Sequence, residues 1–302
     1  MNTFKFKMPS VAMLTVGLIL SAQGFAADSA LPKQPAAQPQ ASQSVQPEVN
    51  KKTADVAAEK HKELIADAQT AIAETEKALQ ALKENKHKEA LEALAIATGK
   101  LELVLVRNPK LVLAPVNTEV VTLDLLASRD TVKAVLKEAK EYLSDGEIQK
   151  ARPLISNLAS EIQYRTTNIP LATYPAAIKA ITPLIDAGKI DEAKAGLQDI
   201  LNTLVITTDV VPLPKLRAER MLKEAQALAE KKDRSKEENA KIAKSIQGAR
   251  EQLQMAELLG YGNKKDYKPM YQQLDEIAKK SADGKSGAGW FDTIKKQLSD
   301  LI

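Results

Sequence analysis

The stretch Leu204–Arg217, "LVITTDVVPLPKLR", sets a β-branched run and two prolines into a chain otherwise rich in Ala, Leu, Glu and Lys. β-branched side chains lose rotamer freedom in a helix, and a residue before proline is pushed toward extended angles. The stretch therefore reads as a helix exit that becomes an extended strap. Two more segments leave helices in the same way, "VLVRNPKLVL" and "YRTTNIPLAT". Aligning the turns before them gives one rule. Ala90, Ala151 and Ala193 each lie five residues after a turn residue, Asn85, Gly146 or Gly188, and each is followed nineteen residues later by a proline, Pro109, Pro170 or Pro212. The unit is turn, helix, extended exit. Its start-to-start intervals, 61 and 42 residues, differ, which excludes a regular solenoid of fixed period.

Around these units the periodicity is helical. From Asp55, the residues Leu64, Ala68, Ile72, Leu79 and Leu82 recur at steps of three, four and seven with charges between them, as one buried stripe requires. Further helices are expected at about 88–106, 126–143, 148–164, 175–187, 190–206, 214–231, 236–259, 267–280 and 289–301. Ser235 with Glu238 forms a capping box, and Asp266 near Pro269 marks another start. Gly146 and Gly188 supply the left-handed residue that ends the first helix of a hairpin. The fold class is all-α, an irregular multi-helix bundle with extended or strand straps near 116–124, 166–172 and 206–213. The last strap is expected to pair with Pro115–Asp124.

The first 26 residues read as a cleaved signal peptide, with Lys5 and Lys7 before an apolar run from Val11 to Leu20 and small residues Gly24 and Ala26 at the cut. That run is too short to span a bilayer, so no stable membrane insertion is expected and the periplasm is the expected location. Three of the four phenylalanines fall in this segment, so the remaining core must be mainly aliphatic. Without the two leader lysines the net charge drops from +4 to +2, with both signs alternating along helices, which argues against nucleic acid as a partner. Residues 27–52, rich in Pro, Gln, Ala and Ser, offer little to bury and are expected to be a disordered lead-in to a helical domain at 53–280.

Catalytic chemistry finds little foothold. The two histidines, His61 and His87, lie on different expected helices, and there is no cysteine, so the usual zinc spacings and disulfides are missing. Gly284-Lys285-Ser286 lacks the preceding glycine and strand of a phosphate-binding loop. No enzyme, cofactor or metal site is expected. Two candidate sites remain. Tyr261, Tyr267 and Tyr271 fall within eleven residues beside a Gly-flanked turn, and could offer rings and hydroxyls to a flat aromatic ligand. Trp290, Phe291, Ile294 and Leu298 form one face of a C-terminal amphipathic helix at 290–302. The linker before it, 281–289, holds three glycines and two serines, and as a flexible tether would span roughly 17 Å. So short a helix is marginal alone. It is expected to dock on a second copy, making the protein a homo-oligomer with Trp290 as anchor.

The segments "VPLPKLRAERMLKEA", "AREQLQMAELLGYGNKKDYKPMYQQLDEI" and "WFDTIKKQL" resemble the YfdX family, exported and mostly helical proteins of Gram-negative bacteria, from about Asp55 onward. The resemblance implies a periplasmic protein of acid and drug stress without established enzymatic activity. It implies either chaperone-like binding of unfolded proteins or small-molecule binding, and assigns no residue a role. Protonating all 39 acids would take the net charge from +2 toward +41, enough self-repulsion to loosen contacts between helices and expose their stripes.

Overall fold

The computed structural model describes residues 40–301. Seven helices and three strands precede the second of the strap's prolines: α1 Gln40–Lys62, α2 Ala66–Lys83, α3 His87–Arg107, β1 Leu113–Leu123, α4 Arg129–Ser144, α5 Ile148–Ser156, β2 Glu161–Pro170, α6 Tyr174–Asp186, α7 Ile190–Asn202 and β3 Val205–Pro212. Then come α8 Leu213–Ala229, α9 Lys236–Leu258, α10 Lys264–Ser281 and α11 Asp292–Ser299. The chain is mostly helical, and its straps are true strands. Each hairpin, α2–α3, α4–α5 and α6–α7, delivers one strand to a single antiparallel sheet of order β1-β2-β3.

The three hairpin turns share one device. Asn85, Gly146 and Gly188 have φ of 60°, 76° and 71°, and the next amide in each case donates five residues back: Lys86 to Ala81, Glu147 to Tyr142, Lys189 to Leu184. This satisfies carbonyls that a helix end leaves orphaned. Ala90, Ala151 and Ala193 are all fully buried, where a methyl lets the two helices of a hairpin approach closely.

Burial falls into three clusters. The α2–α3 and α6–α7 hairpins pack on each other, α2 against α7 and α3 against α6, around Leu82, Leu94, Leu101, Ile178 and Leu197. A second core joins α8, α9, α10 and α11 around Leu222, Leu253, Leu274 and Ile294. A smaller cluster lies under the sheet, where Val49 of α1 meets Ile162, Tyr164, Leu213 and Leu216.

Several expectations need correction. Residues 40–52 of the expected disordered lead-in are helical, because Ser42, Val45 and Val49 form a buried stripe that α8, α9 and the sheet cover; residues 27–39 and the signal peptide lie outside the described residues. The strap 206–213 pairs with β2, not with Pro115–Asp124, because consecutive hairpins place their strands side by side and the middle one intervenes. The helix expected over 148–164 stops at Ser156, and Ile162 and Tyr164 alternate inward from a strand instead. The helix expected over 190–206 likewise ends at Asn202. The capping box at Ser235 and Glu238 is present, whereas α10 begins at Lys264, three residues before the expected start, with Asp266 in its first turn.

The linker 281–289 is not a free tether. Gly287 donates to the Ala229 carbonyl (3.1 Å), and Arg234 donates to Lys285 O (2.6 Å) and Ala229 O (2.9 Å), stapling it to the α8–α9 turn.

Candidate functional site

The three tyrosines come together, but as structural ties. Tyr267 is fully buried in the second core, its ring stacked 6.3 Å from that of Tyr271, and its hydroxyl donates to the Tyr261 carbonyl. Tyr261 donates to Glu161 (2.7 Å) and accepts from the Ser160 amide (2.9 Å), which ties the turn after α9 to the start of β2. Tyr271 donates to Glu257 (2.7 Å), with the Arg250 guanidinium 5.7 Å from its ring centre. Burial first, and for Tyr261 and Tyr271 the accepting carboxylates second, push all three phenols above the ordinary tyrosine value. They remain protonated donors with their acceptors already supplied by the chain. Of the three rings only that of Tyr267 is fully enclosed; Tyr261 and Tyr271 are partly buried against the second core.

The tail residues are also occupied within the chain. Phe291, Ile294 and Leu298 are buried in the second core together with Leu301, and Trp290 lies half-buried over Gly287. Lys215 of α8 donates to the Leu301 carbonyl (2.7 Å), and burial lowers its pKa below the ordinary lysine value. α11 docks on its own body, and of Trp290, Phe291, Ile294 and Leu298 only Trp290 keeps a partly exposed side chain.

Openings lie elsewhere. A cleft of about 520 Å³ runs between α1, α8 and α9, with Met221 and Ala240 against Glu224 and Lys241. It depends on α1, which composition alone concealed. A second, of about 370 Å³, lies between α9 and α10 and is lined by Arg250, Leu274 and Asp275. The open face of the sheet carries a polar chain along β2, in which Arg165 donates to Gln163 and Gln163 donates to Glu161, the acceptor of Tyr261.

Large exposed apolar side chains lie on α3, at Ile96, Leu103 and Val106, on the α4–α5 hairpin and on the sheet. The α4–α5 hairpin buries only Val132, Ala139 and Ala151 of its helices, while Leu143, Ile148 and Ile155 face solvent. Its sibling hairpins bury their stripes against each other; this one instead meets α9 through α4, where Arg129 donates to Gln254. β3 exposes Val205, Ile206 and Val210.

Residues 71–210 match the family model described as YfdX protein. The chain carries a YfdX domain. The matched span runs from within α2 to near the end of β3, so the α4–α5 hairpin and most of the sheet belong to it. The segments that carry the resemblance in the sequence, from Val211 onward, lie beyond the matched span and form the second core. A solved structure, a Salmonella Typhi YfdX, aligns with 50% of this chain and 93% of its own at 14% identity and a TM-score of 0.35. No curated protein matches the chain.

Proposed function

We propose that this YfdX-domain protein is an exported, periplasmic, stress-associated binding protein that holds unfolded polypeptides without catalytic turnover and works as a homo-oligomer. The observation that supports the reading is the α4–α5 hairpin, an amphipathic pair that leaves Leu143, Ile148 and Ile155 exposed among the described residues. Unfolded chains display apolar side chains at irregular intervals, and an exposed apolar ledge accepts such surface without a defined pocket. Acid suits the role, because client proteins and the ion pairs that join hairpins weaken together. The test is light scattering of an aggregating periplasmic enzyme at about pH 3, with and without the protein and its Ile148→Ser/Ile155→Ser variant. Suppression by the native protein and its loss in the variant support the reading; equal scattering in all samples removes it.

A second reading, a binding protein for a small amphipathic molecule, is favoured by the cleft between α1, α8 and α9, whose volume lies within the roughly 300–1,000 Å³ of ligand sites. Its apolar floor and flanking charges suit such a ligand better than the tyrosine cluster does. Ala240→Trp fills the cleft from an exposed position. It should abolish binding of an anilinonaphthalene sulfonate probe, and unchanged binding would exclude the cleft.

A further inference from the structure

The two edges of the sheet are built differently. β1 contains Pro115 and an irregularity in register between Pro115 and Asn117, and its start is covered by α2, where Ile65 donates to Pro115 O and Gln69 to Val116 O. Proline, bulges and covering elements are the devices by which sheet edges avoid further pairing. β3 has none of them between Val205 and Val211: no proline, no lysine and an unbroken register with β2. Six of its eight residues are exposed, Ile206 by 63%. Its ladder with β2 apart, no backbone group bonds to the backbone of Val205–Val211 among the described residues, and the Asn168 side chain, from the neighbouring strand, donates to the Val205 carbonyl (3.1 Å). An edge of this kind offers a row of unpaired amides and carbonyls.

We infer that β3 is the homo-oligomer contact, pairing antiparallel with β3 of a second copy about a two-fold axis at Thr208 to make one continuous six-stranded sheet. The occupant follows from the strand's own residues. Val205, Thr207, Asp209 and Val211 point to the α1 side, where Asp209 meets Lys60 and Thr207 meets Asn168; Ile206, Thr208 and Val210 point to the open side. A two-fold axis normal to the sheet keeps each face with itself, so opposed residues must share a face. Centred on Thr208, the register sets Ile206 against Val210, Thr208 against Thr208, Val205 against Val211, and Asp209 against the hydroxyl of Thr207. Apolar meets apolar, and the single charge of the segment, already paired with Lys60, meets a hydroxyl rather than another carboxylate. Centring on Thr207 instead sets Ile206 against Thr208 and Val205 against Asp209. Of these two registers, the one centred on Thr208 is complementary throughout.

The inference rests on the homo-oligomer part of the proposed function and is independent of client holding, which light scattering reads separately. Because the chain has no cysteine, each introduced thiol is the only one present. Under mild oxidation Thr208→Cys should form a covalent dimer. A mixture of Ile206→Cys and Val210→Cys proteins should cross-link to each other far more than either does alone. Val106→Cys, on α3 and 79% exposed, should stay monomeric on the gel. Ile206→Lys, at a position already open to solvent, should halve the mass seen by sedimentation while leaving circular dichroism unchanged. A native protein that sediments as a monomer across a concentration series overturns the inference. So does an assembly whose mass Ile206→Lys leaves intact, or a Thr208→Cys yield no higher than that of Val106→Cys.

Discussion

At the scale of single residues, Arg217 shows how the strap is anchored. It ends the stretch "LVITTDVVPLPKLR", its side chain is 4% exposed, and its guanidinium meets Asp124 with two hydrogen bonds of 3.0 and 2.7 Å and Gln46 of α1 at 2.9 Å. One side chain thus joins α8, the end of β1 and α1. Breaking a buried pair by removing one partner leaves an uncompensated group, so Arg217→Ala should lower urea-unfolding stability by about 3 kcal/mol. The double variant Arg217→Met/Asp124→Leu should recover much of that loss, since no charge is left unpaired. Gly287 is constrained by space. A Cβ there would lie 2.4 Å from the Trp290 ring. Gly287→Ala should therefore swing the ring outward and shift its emission to the red. The chain has one tryptophan, so the fluorescence reports this position alone.

At the scale of elements, the C-terminal helix is the clearest case of a segment whose role its neighbours decide. Its amphipathic face is legible in the sequence, and so is its need for a docking surface. The surface was not legible, because α8, α9 and α10 present it only once folded together. Ile294 is fully buried in that core. Ile294→Ala should cost about 3 kcal/mol by chemical unfolding, as large-to-small core changes do. Truncation before Ala282 should expose the second core and be read as lost cooperativity of unfolding. The α9 start is a smaller and more local matter. Ser235 accepts from the Glu238 amide, and the Glu238 carboxylate accepts from the Ser235 amide. Ser235→Ala should cost about 1 kcal/mol on the same measurement.

At the scale of the whole molecule, acid acts on the joins between helices. Asp67 of α2 is bonded by Lys100 (2.8 Å) and Arg107 (2.6 Å) of α3. The hydrogen bond from Lys100, with the charges of both bases, holds its carboxyl below the ordinary aspartate value of 3.8. Glu238 is lowered too, first by the hydrogen bond from Lys231 and then by the capping-box amide of Ser235. A carboxyl whose folded pKa is depressed stabilises the fold above its unfolded pKa, and that contribution is lost as pH falls through the folded value. The unfolding midpoint should therefore hold from neutrality down to the ordinary carboxylate range and fall below it. Asp67→Asn should be less stable at neutral pH and show a shallower decline in acid. These groups are solvated, so the effect of each is small, and it is their number that loosens the assembly of hairpins.

Legibility followed the range of the interaction responsible. Asn85, Gly146 and Gly188 end helices through φ and through bonds five residues long, so the turns could be read from the chain. The same holds for the capping box, the helical periodicity and the three straps whose β-branched residues and prolines refuse a helix. Whether a strap becomes a strand, and beside which other strap, depends on pairing between residues far apart in the chain, as between Thr166 and Thr207 or Thr118 and Thr166. Sequence alone therefore determined a mostly helical protein built from repeated hairpins with extended exits. Tertiary structure alone decided that α1 is a helix, since Val45 and Val49 have nothing to bury against until α8 and β2 are in place. It also decided that the tyrosines are ties rather than a pocket, because Glu161 reaches Tyr261 across a separation of 100 residues. Local backbone preference is written into neighbouring residues; burial and hydrogen-bond partners are supplied by whatever the folded chain brings alongside.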